Sequence, residues 1–172
     1  MIFKHLSSFS EEQIVPPSTI LLEQGNITDR IYFIEKGCVR QYIIKDGVEI
    51  TIQFFMEGDF VSSAESFKND IPSQLYIESI EKTHLFYITK SKFRTIVKQN
   101  PLLKAQIDNH IFNQFVHFQH LFLLRLMYSP QERYERLLKD KPEFIQRIPS
   151  KYIASFLGIT PVSLSRIRGR IS

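Results

Sequence analysis

A chain of 172 residues with 43% apolar content has the material for one compact domain or two small ones, and for a real hydrophobic core. Nothing in it approaches the roughly 18 to 20 unbroken apolar residues of a membrane helix, and the opening MIFKHLSSFSEEQ lacks the apolar run of a signal peptide, so a cytoplasmic protein is expected. Its single cysteine, Cys38, excludes an internal disulfide and any all-cysteine zinc or iron–sulfur site within one chain.

The net charge of +4 is unevenly placed: residues 130–172 hold nine Lys/Arg against four acids, and the remainder stands at −1. That layout fits one end of the chain meeting phosphates, and on charge alone it fits a solvated basic surface equally well.

From Thr19 to Ile88, short runs rich in Ile, Val, Phe and Tyr are punctuated by Gly25, Gly37, Gly47 and Gly58. The spacing is that of successive strands and turns in an all-β sandwich or barrel. Glu35-Lys36-Gly37 and Lys45-Asp46-Gly47 read as hairpin turns, and Cys38 to Ile44 alternates as a strand with one buried face. The segment is expected to form a small antiparallel β-roll.

The pattern changes at Thr89. Thr89 or Ser91 can cap a short helix through Lys98, and Pro101 suits the first turn of a longer one. No further Pro or Gly follows before Tyr128. The apolar residues of this long helix are too many for one stripe, so it must be covered on more than one side. A parallel homodimer is expected through it, with Ile107, Ile111, Phe118 and Leu121 among the contacts. Ser129 caps the next helix and Pro130 opens it, which makes Tyr128 to Pro130 the expected hinge.

The most specific pattern runs from Ile153 to Ile167 and reads as two helices joined by a tight turn. Ala154 is small enough for a close helix crossing, and Gly158 supplies the left-handed residue that ends the first helix. Thr160 caps the second helix and Pro161 opens it, while Ile153, Leu157, Ile159, Leu164 and Ile167 form a shared apolar seam. The pattern reads as a helix-turn-helix, whose second helix is expected to lie in the major groove of double-stranded DNA; the alternative is an ordinary helical hairpin with a few exposed arginines.

The outward face of that helix carries Pro161, Val162, Ser163, Ser165, Arg166 and Arg170, with no acid after Glu143. Arg166 suits a bidentate contact to guanine, and Pro161 and Val162 suit a thymine methyl or a sugar. Thr160, Ser163, Lys151 and Arg168 suit phosphate contacts, which position the protein without reading sequence.

Over roughly residues 10–170 the chain resembles the Crp/Fnr family of transcription regulators. The features that carry the resemblance are IYFIEKGCVR, FMEGDF, the long helix after SKFRTIV, and SPQERYERLLKDKPEFIQRIPSKYIASFLGITPVSLSRIR. The resemblance implies an α+β fold: a cyclic-nucleotide-binding-like jelly roll over 1–100, a dimerisation helix over 101–128, and a winged helix-turn-helix over 129–172. It also implies RNA polymerase as a further partner. Since the sequence stops soon after Arg170, the wing is expected around Phe144 to Pro149.

Cyclic-nucleotide-binding members carry a Gly-Glu pair for the ribose and an Arg-Ser/Thr pair for the phosphate. The matching positions here are Ser62-Ser63 and Ser73-Gln74. Without that arginine a phosphate would be buried unpaired, so a response to cyclic AMP is not expected. Ser62, Ser63, Ser73 and Gln74 either bind another small-molecule effector or belong to a filled core. Both readings stand.

No cofactor is expected, and no enzyme activity. His117 and His120 lie three apart on the long helix with no nearby carboxylate or cysteine to complete a metal site. A cupin-like metal enzyme needs histidines inside the roll, and residues 19–80 contain none. A sensor binding only protein partners would leave the acid-free, arginine-bearing helix unexplained.

Overall fold

Turn chemistry and alternating apolar residues fold the first part of the chain into a two-sheet roll. In the computed structural model, which describes residues 2–171, the strands are β1 (Glu11–Val15), β2 (Ile20–Leu22), β3 (Arg30–Lys36), β4 (Val39–Lys45), β5 (Val48–Phe55), β6 (Phe60–Val61), β7 (Tyr76–Ser79) and β8 (Thr83–Thr89). One sheet has the order β1-β8-β3-β6 and the other β2-β7-β4-β5. The antiparallel register sets Tyr32 opposite Tyr87 and Ile34 opposite Leu85 in the first, and Gln41 opposite Ile77 in the second. Val15, Leu22, Tyr32, Ile34, Val39, Phe55, Val61, Ile77 and Leu85 meet as the buried core. The roll begins earlier than the sequence suggested, because β1 pairs with β8 from Glu11 onward.

Asp46 and Gly47 both take positive φ (52° and 76°), the pairing that closes a two-residue hairpin between β4 and β5. Gly37 is constrained differently. Its φ is 119°, and a Cβ built there would lie 2.6 Å from Thr83 Oγ1 and 2.8 Å from Thr83 Cα. Only glycine lets these two backbones approach.

The start of β4 departs from a strand with one buried face: Val39, Arg40, Gln41 and Tyr42 are all buried. Alternation would leave Arg40 in water. Instead it is 1% exposed, faces Glu78 on β7 in register, and donates from Nε to Glu78 Oε2 at 2.7 Å, with its guanidinium 4.0 Å from the Tyr42 ring centre. A buried charge is tolerated only when paired in this way.

Among the described residues, seven further α-helices follow or interrupt the strands after the short N-terminal α1 (Ile2–Leu6) and a 3-10 turn (Ser7–Phe9): α2 (Ala64–Asn69), α3 (Lys90–Gln99), α4 (Pro101–Met127), α5 (Pro130–Asp140), α6 (Pro142–Arg147), α7 (Ser150–Leu157) and α8 (Pro161–Ile171). Thr89 stands at the cap position of α3, but its hydroxyl makes no capping bond. The cap of α4 is Asn100, whose Oδ1 accepts from Leu103 N at 3.0 Å. At 1.5 Å per residue, the 27 residues of α4 reach about 40 Å.

The chain divides into two units within α4. The first holds residues up to Ile43 with Gln53–Ile111, and the second holds Ile44–Ile52 with Phe112 onward. In the first unit, Leu6, Ile88 and Leu103 form a second buried cluster. Ile107, one turn after Leu103, packs against that cluster. Ile107, expected at a dimer seam, is half-buried and lies partly against the chain's own core.

The segment expected to supply a wing, Phe144 to Pro149, is not a hairpin. Pro142 opens a helical turn that runs to Arg147, because a proline at the first position favours a helical start. The hairpin grouped with the second unit is Ile44–Ile52.

Candidate nucleic-acid interface

The second unit places α7 and α8 as the two helices read from sequence. Gly158 ends α7 in the left-handed region at φ 69°, its amide donating to Ala154 and Ser155 carbonyls, and Ile159 N closes the turn on Ala154 O at 3.0 Å. Thr160 Oγ1 accepts from Ser163 N at 3.1 Å, the expected cap on α8. Ile153 and Ala154 are fully buried, Leu157, Leu164 and Ile167 nearly so, and Ile159 is half-buried. Tyr134, Ile148 and Tyr152 complete this small core without having been singled out in the sequence. Aromatic residues with a polar tip do not stand out from an apolar pattern.

On the outer side of α8, Pro161, Val162, Ser165, Arg166 and Arg170 are exposed, and Val162 is open by 61%. Those residues therefore share one accessible surface. Ser163 is half-buried and meets the Thr160 hydroxyl at 3.0 Å. Lys151 is exposed on α7 with its ammonium 4.5 Å from the Tyr152 ring centre.

Arg168, expected at phosphates, is half-buried and follows buried Leu164 by one turn. Its Nε donates to Tyr134 Oη at 3.1 Å and its Nη1 to Ser150 Oγ at 2.8 Å. Arg168 braces α8 against α5 and α7.

The start of α5 is closed by side chains on both sides of its cap. Ser129 and Glu132 form a reciprocal capping box: Glu132 N donates to Ser129 Oγ at 3.4 Å, and Ser129 N donates to Glu132 Oε2 at 2.8 Å. Bonds from the Ser129 hydroxyl and then its amide hold the Glu132 carboxyl below its ordinary pKa of 4.5. This capping box lies at the corner expected to be the hinge.

Two contacts of α7 had no signal in the sequence. Ser155 Oγ donates to Glu49 O at 2.8 Å and accepts from Thr51 N at 2.9 Å, so the Ile44–Ile52 hairpin sits on this helix. At its C-terminal end, Arg125 and Arg133 donate to the Phe156 and Leu157 carbonyls. Burial, and then the neighbouring Arg125 charge, lower the Arg133 pKa.

The second half of α4 leaves a broad apolar surface open. Ile111, Phe115, Phe118, Phe122 and Leu126 recur at spacings of four, three, four and four, and all five are exposed. Phe115, Phe122 and Leu126 are open by 65%, 62% and 67%. Leu121 lies off this stripe and is half-buried. Isolated exposed apolar residues are ordinary, whereas a continuous apolar stripe is not.

In the roll, Ser63 and Ser73 are buried and share a hydrogen bond of 2.9 Å between their hydroxyls. Ser73 Oγ also accepts from Leu75 N, and Ser62 Oγ donates to the Arg30 carbonyl at 2.8 Å. Gln74 is exposed. The structure brings Ser63 and Ser73 together and leaves Gln74 apart. Among the described residues, no group of three or more His, Cys, Asp or Glu could hold a metal ion, and no helix is long and apolar enough to cross a membrane.

A jelly roll, a long helix and a terminal helix-turn-helix define the architecture of the Crp/Fnr regulators. The cyclic nucleotide-binding domain model matches residues 12–100, just over half of the chain, and the chain belongs to the cyclic nucleotide-binding domain family. It is 27% identical over 98 residues to the cAMP-activated global transcriptional regulator CRP of Salmonella typhimurium, a match covering 56% of this chain and 46% of that protein. The chain thus spans about half the length of the curated relatives it matches first. Among solved structures, the c-di-GMP-responsive global regulator CLP of Xanthomonas campestris superposes with a TM-score of 0.80 at 16% identity, covering 99% of this chain and 90% of that one. A chain from Eubacterium rectale assigned to the Crp/Fnr family superposes with a TM-score of 0.77 at 21% identity, covering 96% and 80%.

Proposed function

We propose that this protein is a sequence-specific DNA-binding transcription regulator that works in the cytoplasm as a homodimer, not an enzyme. The observation that carries the reading is the exposed face of α8, where Arg166 and Arg170 project beside Ser165, Val162 and Pro161 and residues 144–172 hold no Asp or Glu. A helix end free of acids can enter a groove lined with phosphates without repulsion.

Arg166 is the residue for a guanine edge, and Pro161 and Val162 are suited to thymine methyl groups. Arg170, Lys151 and the Thr160 and Ser163 hydroxyls serve phosphate oxygens. Two copies pair along the Ile111–Leu126 stripe of α4, and their recognition helices enter successive major grooves about 34 Å apart on an inverted repeat. RNA polymerase is the further partner such a regulator would engage.

The roll does not respond to cyclic AMP in this reading. Ser73 stands where a phosphate-binding arginine would be needed, and its hydroxyl is committed to Ser63 and Leu75. Titration calorimetry with cyclic AMP should give no heat of binding at micromolar concentrations, and micromolar affinity would overturn this part.

The main test is selection of duplexes from a random library, followed by binding of Arg166→Ala to the selected sites. Loss of about 1 to 3 kcal/mol of discrimination at one position per half-site is expected. Equal binding of the variant to every sequence that the wild type prefers would overturn the assignment.

A further inference from the structure

Arg125 and Arg133 lie outside the groove-facing surface, yet they gather four backbone carbonyls from two helix ends. Arg133 Nη1 donates to Arg125 O at 3.2 Å and to Tyr128 O at 2.9 Å, and its Nη2 donates to Leu157 O at 2.6 Å. Arg125 Nη2 donates to Phe156 O at 3.0 Å. The last carbonyls of a helix have no partner within it, and here the two guanidiniums supply partners at the end of α4 and at the end of α7. Both cations also sit at the negative pole of α7, where positive charge is stabilised.

From this geometry we infer that Arg125 and Arg133 are positioning residues for duplex recognition: they clamp the end of α7 to the end of α4 and so fix the direction of α8. The inference rests on the DNA-binding reading above. Only Gly158, Ile159 and Thr160 separate α7 from α8, and the two helices share a seam in which Ala154 and Leu164 are buried. Whatever fixes the end of α7 therefore fixes the recognition helix. In a dimer paired along α4, the clamp sets the distance and angle between the two recognition helices, and hence the half-site spacing that the protein accepts.

Arginine is the side chain this junction requires. Its planar fork serves the α4 and α7 carbonyls at once, whereas a lysine ammonium is a compact point charge without a fixed fork. The Arg133→Lys variant keeps the charge at the helix end but loses the bridge. Arg125→Gln removes a single bond from an exposed side chain and is the milder disturbance.

The test uses the full chain as wild type, Arg133→Lys and Arg125→Gln, each checked for its melting transition. Two properties are read: amide hydrogen exchange over residues 156–164, and affinity for duplexes carrying the selected half-sites with the spacer lengthened or shortened one base pair at a time. Wild type is expected to prefer one spacing by about tenfold or more, the scale of one or two hydrogen bonds to a charged group. In Arg133→Lys that preference should flatten, with binding to random duplex retained and exchange over 156–164 accelerated.

A purely stabilising role would lower the melting temperature and leave the spacing profile sharp, which would overturn the inference. If Arg133→Lys does not fold, Arg125→Gln decides the question by the same profile. If wild type binds no duplex at any spacing, the DNA-binding reading fails. The clamp is then judged by exchange alone, and unchanged exchange in the folded variants would overturn it.

Discussion

Gly37 shows how one residue fixes the roll. A methyl group there would meet the Thr83 backbone at 2.8 Å, and a φ of 119° is disfavoured for any other residue. Gly37→Ala should therefore lose about 1 to 3 kcal/mol from strain, with the backbone clash in addition. Gly25→Ala shares a positive φ of 92° but meets nothing within 4 Å, and it should cost less. Urea denaturation of both variants checks the order, and equal losses would contradict the close approach to Thr83.

At Glu132 the same scale gives a pH dependence. Its carboxyl is held below 4.5 by Ser129, so the fold gains stability that is fully present above that value and is lost as pH falls through the lower folded value. The stability gap between wild type and Glu132→Gln should shrink as thermal melts are carried into acid. A gap that stays constant with pH would contradict the capping box.

Residue signals were legible where one conformation admits few side chains. Gly158, Thr160, Ser129 and Pro130 announce helix ends because caps and left-handed residues are chemically narrow. The bonds of Arg168 to Tyr134 and Ser150 gave no signal, because such an arginine looks, in sequence, like any other cation. Arg40 was hidden for the same reason, since its partner Glu78 lies 38 residues away.

Among the elements, α8 and α7 are held by a small shared core. Leu164 is 1% exposed at its centre, so Leu164→Ala should cost about 2 to 5 kcal/mol and unfold the second unit at lower denaturant concentration. A change below about 1 kcal/mol would contradict that packing. The length of α4 and its excess of apolar residues were plain from sequence, because neither Pro nor Gly interrupts it. Which residues face outwards was not.

Ile107 follows Leu103 by one turn and joins the inner cluster, whereas Phe115, Phe122 and Leu126, not singled out in the sequence, complete the open stripe. A double change of Phe115 and Phe122 to Glu should convert a dimer to a monomer in light scattering while the chain remains folded. A dimer that survives both carboxylates would place the contact elsewhere. The wing expected at Phe144–Pro149 was misjudged because that segment was chosen by its place in the chain, whereas Pro142 starts a helical turn there.

At the scale of the whole molecule, charge and architecture agree. The basic end of the chain coincides with the helix-turn-helix, and the nearly neutral remainder builds the roll. The order of roll, long helix and terminal helices was readable because strand, helix and turn patterns change at Thr89 and Ser129. The division of the chain after Ile111 and the grouping of Ile44–Ile52 with the C-terminal unit were not readable, since they depend on contacts between residues about a hundred positions apart.

The most direct measurement is fluorescence anisotropy of a labelled duplex, drawn from the selected sites, titrated with the full chain across a series of salt concentrations. Binding should be tight in dilute buffer and fall steeply and linearly in log affinity against log salt, as phosphate neutralisation requires. Failure to bind selected or random duplex even at the lowest salt would contradict the role assigned to the α8 face.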